Sequence, residues 1–230
     1  MSDNLIAVII AALNEEPGIG PTLMELREVL KNPRFLVIDG NSTDRTVEIA
    51  KELGAKVIVQ EGSGKGQAIA QAIRHIEPDL EYVIFTDADF TYPAKCLPEM
   101  IHILEENPKV GMVIGNRFAH SLELKAMKSP FYIGNRFLAL AQRLLNGVDL
   151  ADPLTGLRVI RWRILKNWQP KSKGFDIEAE MNHLVERQGY KTVEVPTEYR
   201  VRLGEKKLQL IHGFLIMKRI LSESLIADFG

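Results

Sequence analysis

Short apolar runs that end in polar or acidic residues recur through the first half of the chain. This constrains the fold more than any other feature of the sequence. The runs span residues 5–12, 35–38, 56–59, 82–86 and 110–114, and helical patterns fill the gaps at about 20–30, 44–53, 66–76 and 94–106. Short strands separated by helices predict an α/β fold with a mostly parallel sheet covered on both faces. In such sheets ligands bind beyond the C-terminal strand ends, near the switch in strand order. The polar punctuation falls at those ends: Asn14-Glu15-Glu16, Asp39-Gly40-Asn41-Ser42, Asp87-Ala88-Asp89 and Gly115-Asn116-Arg117.

The second half breaks the rhythm. A helix is expected over residues 131–146, then the loop ADPLTG, a short strand at 157–160, a helix at 175–187, a strand at 192–195 and a final amphipathic helix at 207–222. No internal repeat, low-complexity tract or linker interrupts it, so 1–230 reads as one domain. Apolar residues make up 46 % of the chain, enough for a sizeable core, and the formal net charge is −1. That balance gives no global reason to expect nucleic acid, and anions must be held by local Arg and Lys clusters. Cys96 is the only cysteine, which excludes an intrachain disulfide and fits a cytoplasmic protein. The first apolar run lacks a basic flank and reads as a buried strand in preference to a signal peptide. No stretch reaches the roughly 18 apolar residues of a spanning helix, so a lipid substrate would be met from outside the bilayer.

The run Val83-Ile84-Phe85-Thr86-Asp87-Ala88-Asp89 ends a buried strand in two carboxylates. Alternating side chains let Asp87 and Asp89 share a side if strand geometry persists. Hard divalent cations take carboxylate oxygens and are commonly completed by substrate phosphates. Asp89, with Asp87, is therefore a candidate ligand of Mg²⁺ or Mn²⁺ on a diphosphate. Asp39 sits in a strand–turn–helix junction where Asp44 or Thr43 can cap the next helix. That junction does not itself require Asp39, whose carboxylate could accept hydrogen bonds from a base or ribose. Gly62-Ser63-Gly64-Lys65-Gly66 opens a helix, whose N-terminus and Lys attract phosphate, but it lacks the Ser or Thr of a P-loop. Residues Asp176, Glu178 and Glu180 lie at a helix start, where Asp176 and Glu180 are i,i+4 neighbours, and fit either a favourable acidic helix N-terminus or a sugar contact. The histidines at 75, 102, 120, 183 and 212 form no metal spacing.

Together, Ala12-Leu13-Asn14-Glu15-Glu16, residues 38–46, Gly64-Lys65-Gly66-Gln67-Ala68 and Asp87-Ala88-Asp89 occur in the order and rough spacing of family 2 glycosyltransferases. The later segments Gly115-Asn116-Arg117-Phe118, Ile133-Gly134-Asn135-Arg136, residues 152–158 and Glu194-Val195-Pro196 resemble the dolichol- and polyprenyl-phosphate mannosyl- and glucosyltransferase branch. The resemblance spans residues 7–207 and implies a GT-A, Rossmann-like nucleotide-diphospho-sugar transferase fold. It implies a nucleotide-sugar-binding half (1–118) and an acceptor half (119–230). The activity implied is metal-dependent, inverting transfer of a hexose from a GDP- or UDP-sugar to a polyprenyl phosphate.

The same resemblance assigns roles. Ala12, Asn14, Glu15, Asp39, Lys65, Asp87 and Ala88 would lie at the nucleotide-sugar, Asp89 would bind metal, and Arg117 would meet the acceptor phosphate. Strand alternation puts Arg200 and Arg202 on one face, and Arg suits bidentate phosphate contacts. Asp89, Arg117 and Arg202 are the expected catalytic set. The chain departs from the pattern at Gly40, where a second acid is common, at Lys206 in the usual Ser position of a G-x-S-K motif, and at Phe90-Thr91 after the metal Asp. These departures bear on the donor.

An ionised phosphate needs no strong general base, so positioning and charge stabilisation would carry catalysis. The apolar segment 131–145 and the segment 208–225 raise the possibility of peripheral membrane contact, with Lys206, Lys207, Lys218 and Arg219 as cations. Taken alone, the C-terminal segment reads first as a core-packing helix, with a dimer interface as a third option. Two other readings compete. One is a transferase for a soluble acceptor such as phosphoglycerate. The other is a sugar nucleotidyltransferase, whose glycine-rich basic N-terminal loop is missing from Ala11-Ala12-Leu13-Asn14-Glu15.

Overall fold

The structure is a computed structural model, and it describes residues 6–119 and 129–227. Strands β1 (Ile6–Ala12), β2 (Arg34–Asp39), β3 (Lys56–Val59), β4 (Tyr82–Asp87) and β5 (Val110–Asn116) alternate with helices α1 (Glu16–Val29), α2 (Thr46–Glu52), α3 (Lys65–His75) and α4 (Leu97–Glu106). There follow α5 (Pro130–Asn146), β6 (Arg158–Arg161), α6 (Trp162–Leu165), α7 (Ile177–Arg187), β7 (Lys191–Pro196) and α8 (His212–Ala227). The strands form a seven-stranded sheet in the order β3-β2-β1-β4-β6-β5-β7. It is parallel except for β6, which runs antiparallel between β4 and β5. A strand from the second half of the chain is thus built into the middle of the sheet.

The inner strands are apolar throughout because helices cover both sheet faces. Ile6, Val8 and Ile10 of β1 enter one core with Ile19 and Leu23 of α1 and Met100 of α4. Ala7 and Ile9 enter the other, with Ile69 of α3 and Ile177 and Met181 of α7. This alternation repeats in β2 and β4, as the two-residue period of a strand requires. Order reverses at β1: β2 lies on one side and β4 on the other, in registers that pair Ala12 with Asp39 and Ala11 with Asp87. Three C-terminal strand ends therefore open at one edge.

Two elements differ from the expected ones. Strand β7 ends at Pro196, so residues 200–203 lie outside the sheet, held by Arg200 N–H donating to Thr91 O (2.9 Å) and Leu203 N–H to Asp89 O (3.0 Å). The last helix starts at His212, five residues after Lys207, and it packs only one stripe, Ile216 and Ile220, against Leu138 and Ala179. Phe214, Leu215 and Leu221 are exposed, so this helix is only partly the core-packing element expected from its sequence. Arg219, expected among the free cations, turns inward to Asp176 (3.0 Å) and Glu223 (3.3 Å). Among the described residues no helix is long and apolar enough to cross a membrane. Residues Leu5 and His120, which figured in the sequence reading, lie outside the described residues.

Candidate active site

The corner between β1 and β2 is built by hydrogen bonds across the strand ends. Asn14 takes a left-handed conformation (φ 48°), donates its N–H to Ser42 Oγ (2.8 Å) and accepts from Thr43 N–H through Oδ1 (2.8 Å). Asn tolerates that backbone better than most side chains. Asp44 takes Thr46 N–H on one oxygen and Glu16 N–H on the other (both 3.0 Å), tying the starts of α1 and α2 together. At the floor of the corner Asp39 is 2 % exposed. Its Oδ2 accepts from Ser42 N–H (3.1 Å), while buried Oδ1 has no partner among the described residues. A buried acceptor without a donor is costly and awaits one from a ligand.

Asp87 ends β4, and its Oδ1 is 2.7 Å from Lys65 Nζ, which also lies 2.7 Å from Glu178 Oε1 of α7. Burial alone would lower the Lys65 pKa, but the two carboxylates outweigh it and hold the ammonium charged. Lys65 was expected beside the nucleotide. The structure buries it between two acids, where it fixes Asp87. The turn before it is tight: Gly64 has φ 92°, and a Cβ at Gly66 would lie 2.3 Å from Ser172 O. Gly156 packs equally closely, with an added Cβ only 2.6 Å from Asp87 Oδ2. Gly18 lets α1 approach to where a Cβ would be 2.5 Å from Ala88 O.

Asp89 is 1 % exposed and is bracketed by Thr91, which donates from N–H (3.1 Å) and Oγ1 (2.6 Å) to Oδ1. Arg202 Nη1 stands 2.5 Å from Oδ2 without hydrogen-bond alignment, so that oxygen keeps no hydrogen-bond partner. Burial, and next the charge of Asp87, push the Asp89 carboxyl above the ordinary Asp range. An anionic oxygen in this setting fits a divalent cation. No group of three or more His, Cys, Asp or Glu among the described residues could hold such an ion alone. Phosphate oxygens of a bound diphosphate would have to complete its shell.

Arg117 follows β5 and is clamped by Asp152: Nε and Nη2 each donate to a carboxylate oxygen at 2.7 Å, and the backbone N–H adds a third bond at 3.0 Å. Lys206 has its pKa lowered by burial, and then by the nearby positive charges of Arg202 and Arg117. Arg202 reaches Asp89, and the charges of Arg202 and Arg117 both act on Asp87, so the two arginines stand by the Asp87–Asp89 pair with Lys206 near them; Lys206 Nζ also sits over the Phe131 ring at the start of α5 (2.9 Å to the centroid). Residues 200–207 cross the cleft like a strap. Lys207 Nζ reaches Glu15 Oε1 (2.5 Å), and Glu15 Oε2 remains buried and unpaired. Arg200, expected beside Arg202, instead forms a bidentate pair with Glu25 of α1 (2.6 and 2.8 Å) and covers the Phe90 ring. The reason is local. Without sheet pairing the segment follows residues 89–91, which turns Arg200 to α1 and Arg202 to Asp89.

Sequence reasoning assigned no partner to Arg158 and treated Asp176, Glu178 and Glu180 alike. The structure orders these differently. Arg158 is 1 % exposed and holds the carbonyls of Pro153 (2.5 Å) and Thr155 (2.9 Å) and Asn182 Oδ1 (2.5 Å). It pins the loop that carries Asp152 and Gly156, and burial lowers its pKa to about 10. Asp176 and Glu180 both face Arg219, leaving Glu178 as the α7 acid at the cleft. Arg158→Met should leave the Thr155 carbonyl and Asn182 Oδ1 unsatisfied, while Pro153 O keeps its bond from Asn182 Nδ2 (2.9 Å), and lower stability by about 2–4 kcal/mol. A urea midpoint equal to the wild type would contradict this.

Comparison with known proteins agrees with this geometry. Two of the relatives come from Haloferax volcanii. The glycosyltransferase AglJ is 38 % identical over 199 residues, which cover 86 % of this chain and 63 % of that protein. A dolichyl-phosphate hexose transferase is 33 % identical over 210 residues, which cover 90 % of this chain and 88 % of that protein. This chain thus spans less than two thirds of AglJ. The dolichol-phosphate mannosyltransferase of Pyrococcus furiosus is 26 % identical over 232 residues, covering 93 % of this chain and 64 % of that protein. Among solved structures, glucosyl-3-phosphoglycerate synthase from Mycobacterium tuberculosis in complex with uridine-diphosphate superposes with a TM-score of 0.77 at 22 % identity. The match covers all of this chain and 83 % of that one, and shows that the fold is GT-A. The glycosyl transferase family 2 model matches residues 7–165, a stretch that contains the Asp39 corner, the Asp87–Asp89 pair and the Arg117–Asp152 clamp. This chain belongs to glycosyl transferase family 2.

Proposed function

We propose that this protein transfers a hexose from a GDP- or UDP-sugar to the phosphate of a polyprenyl lipid, inverting the anomeric centre, while bound peripherally at the cytoplasmic face of a membrane. The observation that carries this reading is the placement of Arg117 and Arg202 by the Asp87–Asp89 pair, with Lys206 near them at the start of the exposed apolar helix α5. The acceptor phosphate would sit on those cations. Its oxygen attacks the anomeric carbon, the bond from that carbon to the diphosphate breaks, and the nucleoside diphosphate leaves. The attacking oxygen is already ionised, so no residue need remove a proton. Arginines would hold the acceptor in line and screen its repulsion from the diphosphate. Asp89 would hold Mg²⁺ or Mn²⁺, which when bound neutralises charge on the departing diphosphate. Lys65 and Glu178 keep Asp87 fixed toward the nucleotide-sugar.

The lipid reading is supported by surface chemistry. Phe137 (62 %) and Leu144 (73 %) of α5, Val201 (90 %) of the strap and Phe214 (74 %) of α8 are exposed, and α5 begins at the Lys206 cation. Large apolar side chains exposed on α5, the strap and α8 suit contact with a lipid. The test is transfer of labelled sugar from a panel of GDP- and UDP-sugars to polyprenyl phosphate, followed by extraction into organic solvent. Extractable label that requires Mg²⁺ or Mn²⁺ is expected; absence of label with every donor would contradict the proposal.

Asp39→Ala should raise the donor KM with kcat little changed, because a contact to the base is remote from the reacting carbon. Steady-state kinetics against donor concentration reads this directly, and an unchanged KM removes Asp39 from the donor site.

A further inference from the structure

Helix α7 is two-sided. Glu178 and Asn182 face Lys65 and Arg158, whereas Glu180, His183, Leu184 and Arg187, at i, i+3, i+4 and i+7, line a cavity of about 450 Å³. The cavity is closed by α6, residues 167–171 and Glu223 of α8, and it contains none of the residues assigned to donor, metal or acceptor. His183 is 4 % exposed, and neither ring nitrogen has a hydrogen-bond partner among the described residues. Its nearest acid, Glu223 Oε2, is 3.8 Å from Nε2, too far for a hydrogen bond. A buried imidazole with both nitrogens unmet is an uncommon and costly arrangement.

The other lining charges divide cleanly. The two carboxylates are already engaged: Glu180 takes the N–H groups of Lys171 (2.8 Å) and Ser172 (2.7 Å), and Glu223 takes Arg219 (3.3 Å). Lys171 and Arg187 are exposed at the rim, and their side chains make no hydrogen bond or ion pair with described residues. Arg163 is a third rim cation but is already engaged, stacked on Tyr190 and donating to Pro108 O (3.4 Å). The uncommitted groups are therefore cations around one imidazole donor, and a phosphate group satisfies both.

We infer that this cavity is a second ligand site, separate from the transfer site, which binds a compact phosphate or phosphate monoester through Lys171, Arg187 and His183. Its wall is shared with the catalytic turn. The backbone of Lys171 and Ser172 is anchored on Glu180, and the adjoining Lys173 O accepts from Gln67 N–H of α3 (3.3 Å). A ligand that moves Lys171 would move the backbone against which the Lys65 turn is packed.

The test uses the full chain labelled with ¹⁵N-histidine and saturated with nucleoside diphosphate and Mg²⁺, with His183 assigned through His183→Gln. Inorganic phosphate is titrated at constant ionic strength, and glycerol phosphate in a parallel series. Saturable shifts of the His183 ring nitrogens are expected. The Lys171→Ala/Arg187→Ala double variant should bind roughly tenfold or more weakly, while Arg202→Ala, at the transfer site, should titrate like the wild type. Tighter binding of glycerol phosphate assigns the site to an ester, and equal binding assigns it to free phosphate. No saturable shift, or one that survives unchanged in the double variant, overturns the inference. The altered residues are exposed rim positions, where substitutions rarely cost more than about 0.5 kcal/mol.

Discussion

Asp89→Ala is expected to reduce transfer by roughly a hundredfold to a thousandfold while leaving the fold intact. The size follows from losing the one carboxylate placed to hold a cation against the leaving diphosphate, an electrostatic contribution of the kind that costs about 10²–10³ per group. Stability should hold because burial and the Asp87 charge already disfavour the Asp89 carboxylate, raising its pKa, and this offsets the loss of the two bonds that its Oδ1 accepts from Thr91. Removing it also frees Arg202, whose Nη1 lies 2.5 Å away. Circular dichroism and the thermal midpoint check the fold, and single-turnover transfer checks the chemistry. EDTA should reproduce the loss in the wild type. Full turnover by the variant, or by the wild type in EDTA, would remove the metal role.

The second large effect belongs to the cation cluster. Arg202→Ala should lower kcat/KM for the acceptor by roughly tenfold to a hundredfold, with nucleotide affinity within about twofold of wild type. The clamp on Arg117 changes how that residue must be tested. Asp152 is fully buried and accepts three bonds from Arg117, so Arg117→Ala would strand a buried carboxylate at a cost of about 3–5 kcal/mol. Arg117→Lys keeps the charge and loses the bidentate fork, and it should also raise the acceptor KM. The double variant should cost less than the sum of the two if both act on one phosphate. Acceptor kinetics unaffected in both single variants would dissolve the arginine clamp.

The corner that brings Asn14, Asp39 and Asp87 together was legible in the sequence because these residues sit at strand ends. Asn14, Asp39 and Asp87 each follow an apolar run, and parallel pairing brings such ends to one edge. The second half was less legible. Nothing in one sequence marks β6 as the strand inserted between β4 and β5, since its register depends on neighbours more than 40 residues away. Side-chain partnerships were hidden for the same reason. Lys65 carries the look of a phosphate-binding lysine, yet Glu178, far along the chain, converts it into a brace for Asp87. Arg200 and Arg202 alternate as strand residues would, but β7 has already ended at Pro196, and Glu25 captures Arg200. Asp176, Glu178 and Glu180 read alike in the sequence because only the helix faces separate them: Glu178 meets Lys65, and the other two meet Arg219.

The central claim is that the phosphate acceptor carries a polyprenyl chain, and competition between acceptors tests it most directly. Polyprenyl phosphates of graded chain length are assayed in detergent beside phosphoglycerate, with the wild-type protein and one labelled donor. The account predicts that kcat/KM rises with chain length as the tail gains the exposed apolar faces of α5 and α8, and that phosphoglycerate competes poorly. A preference for phosphoglycerate over every lipid phosphate would contradict it and point to a soluble acceptor.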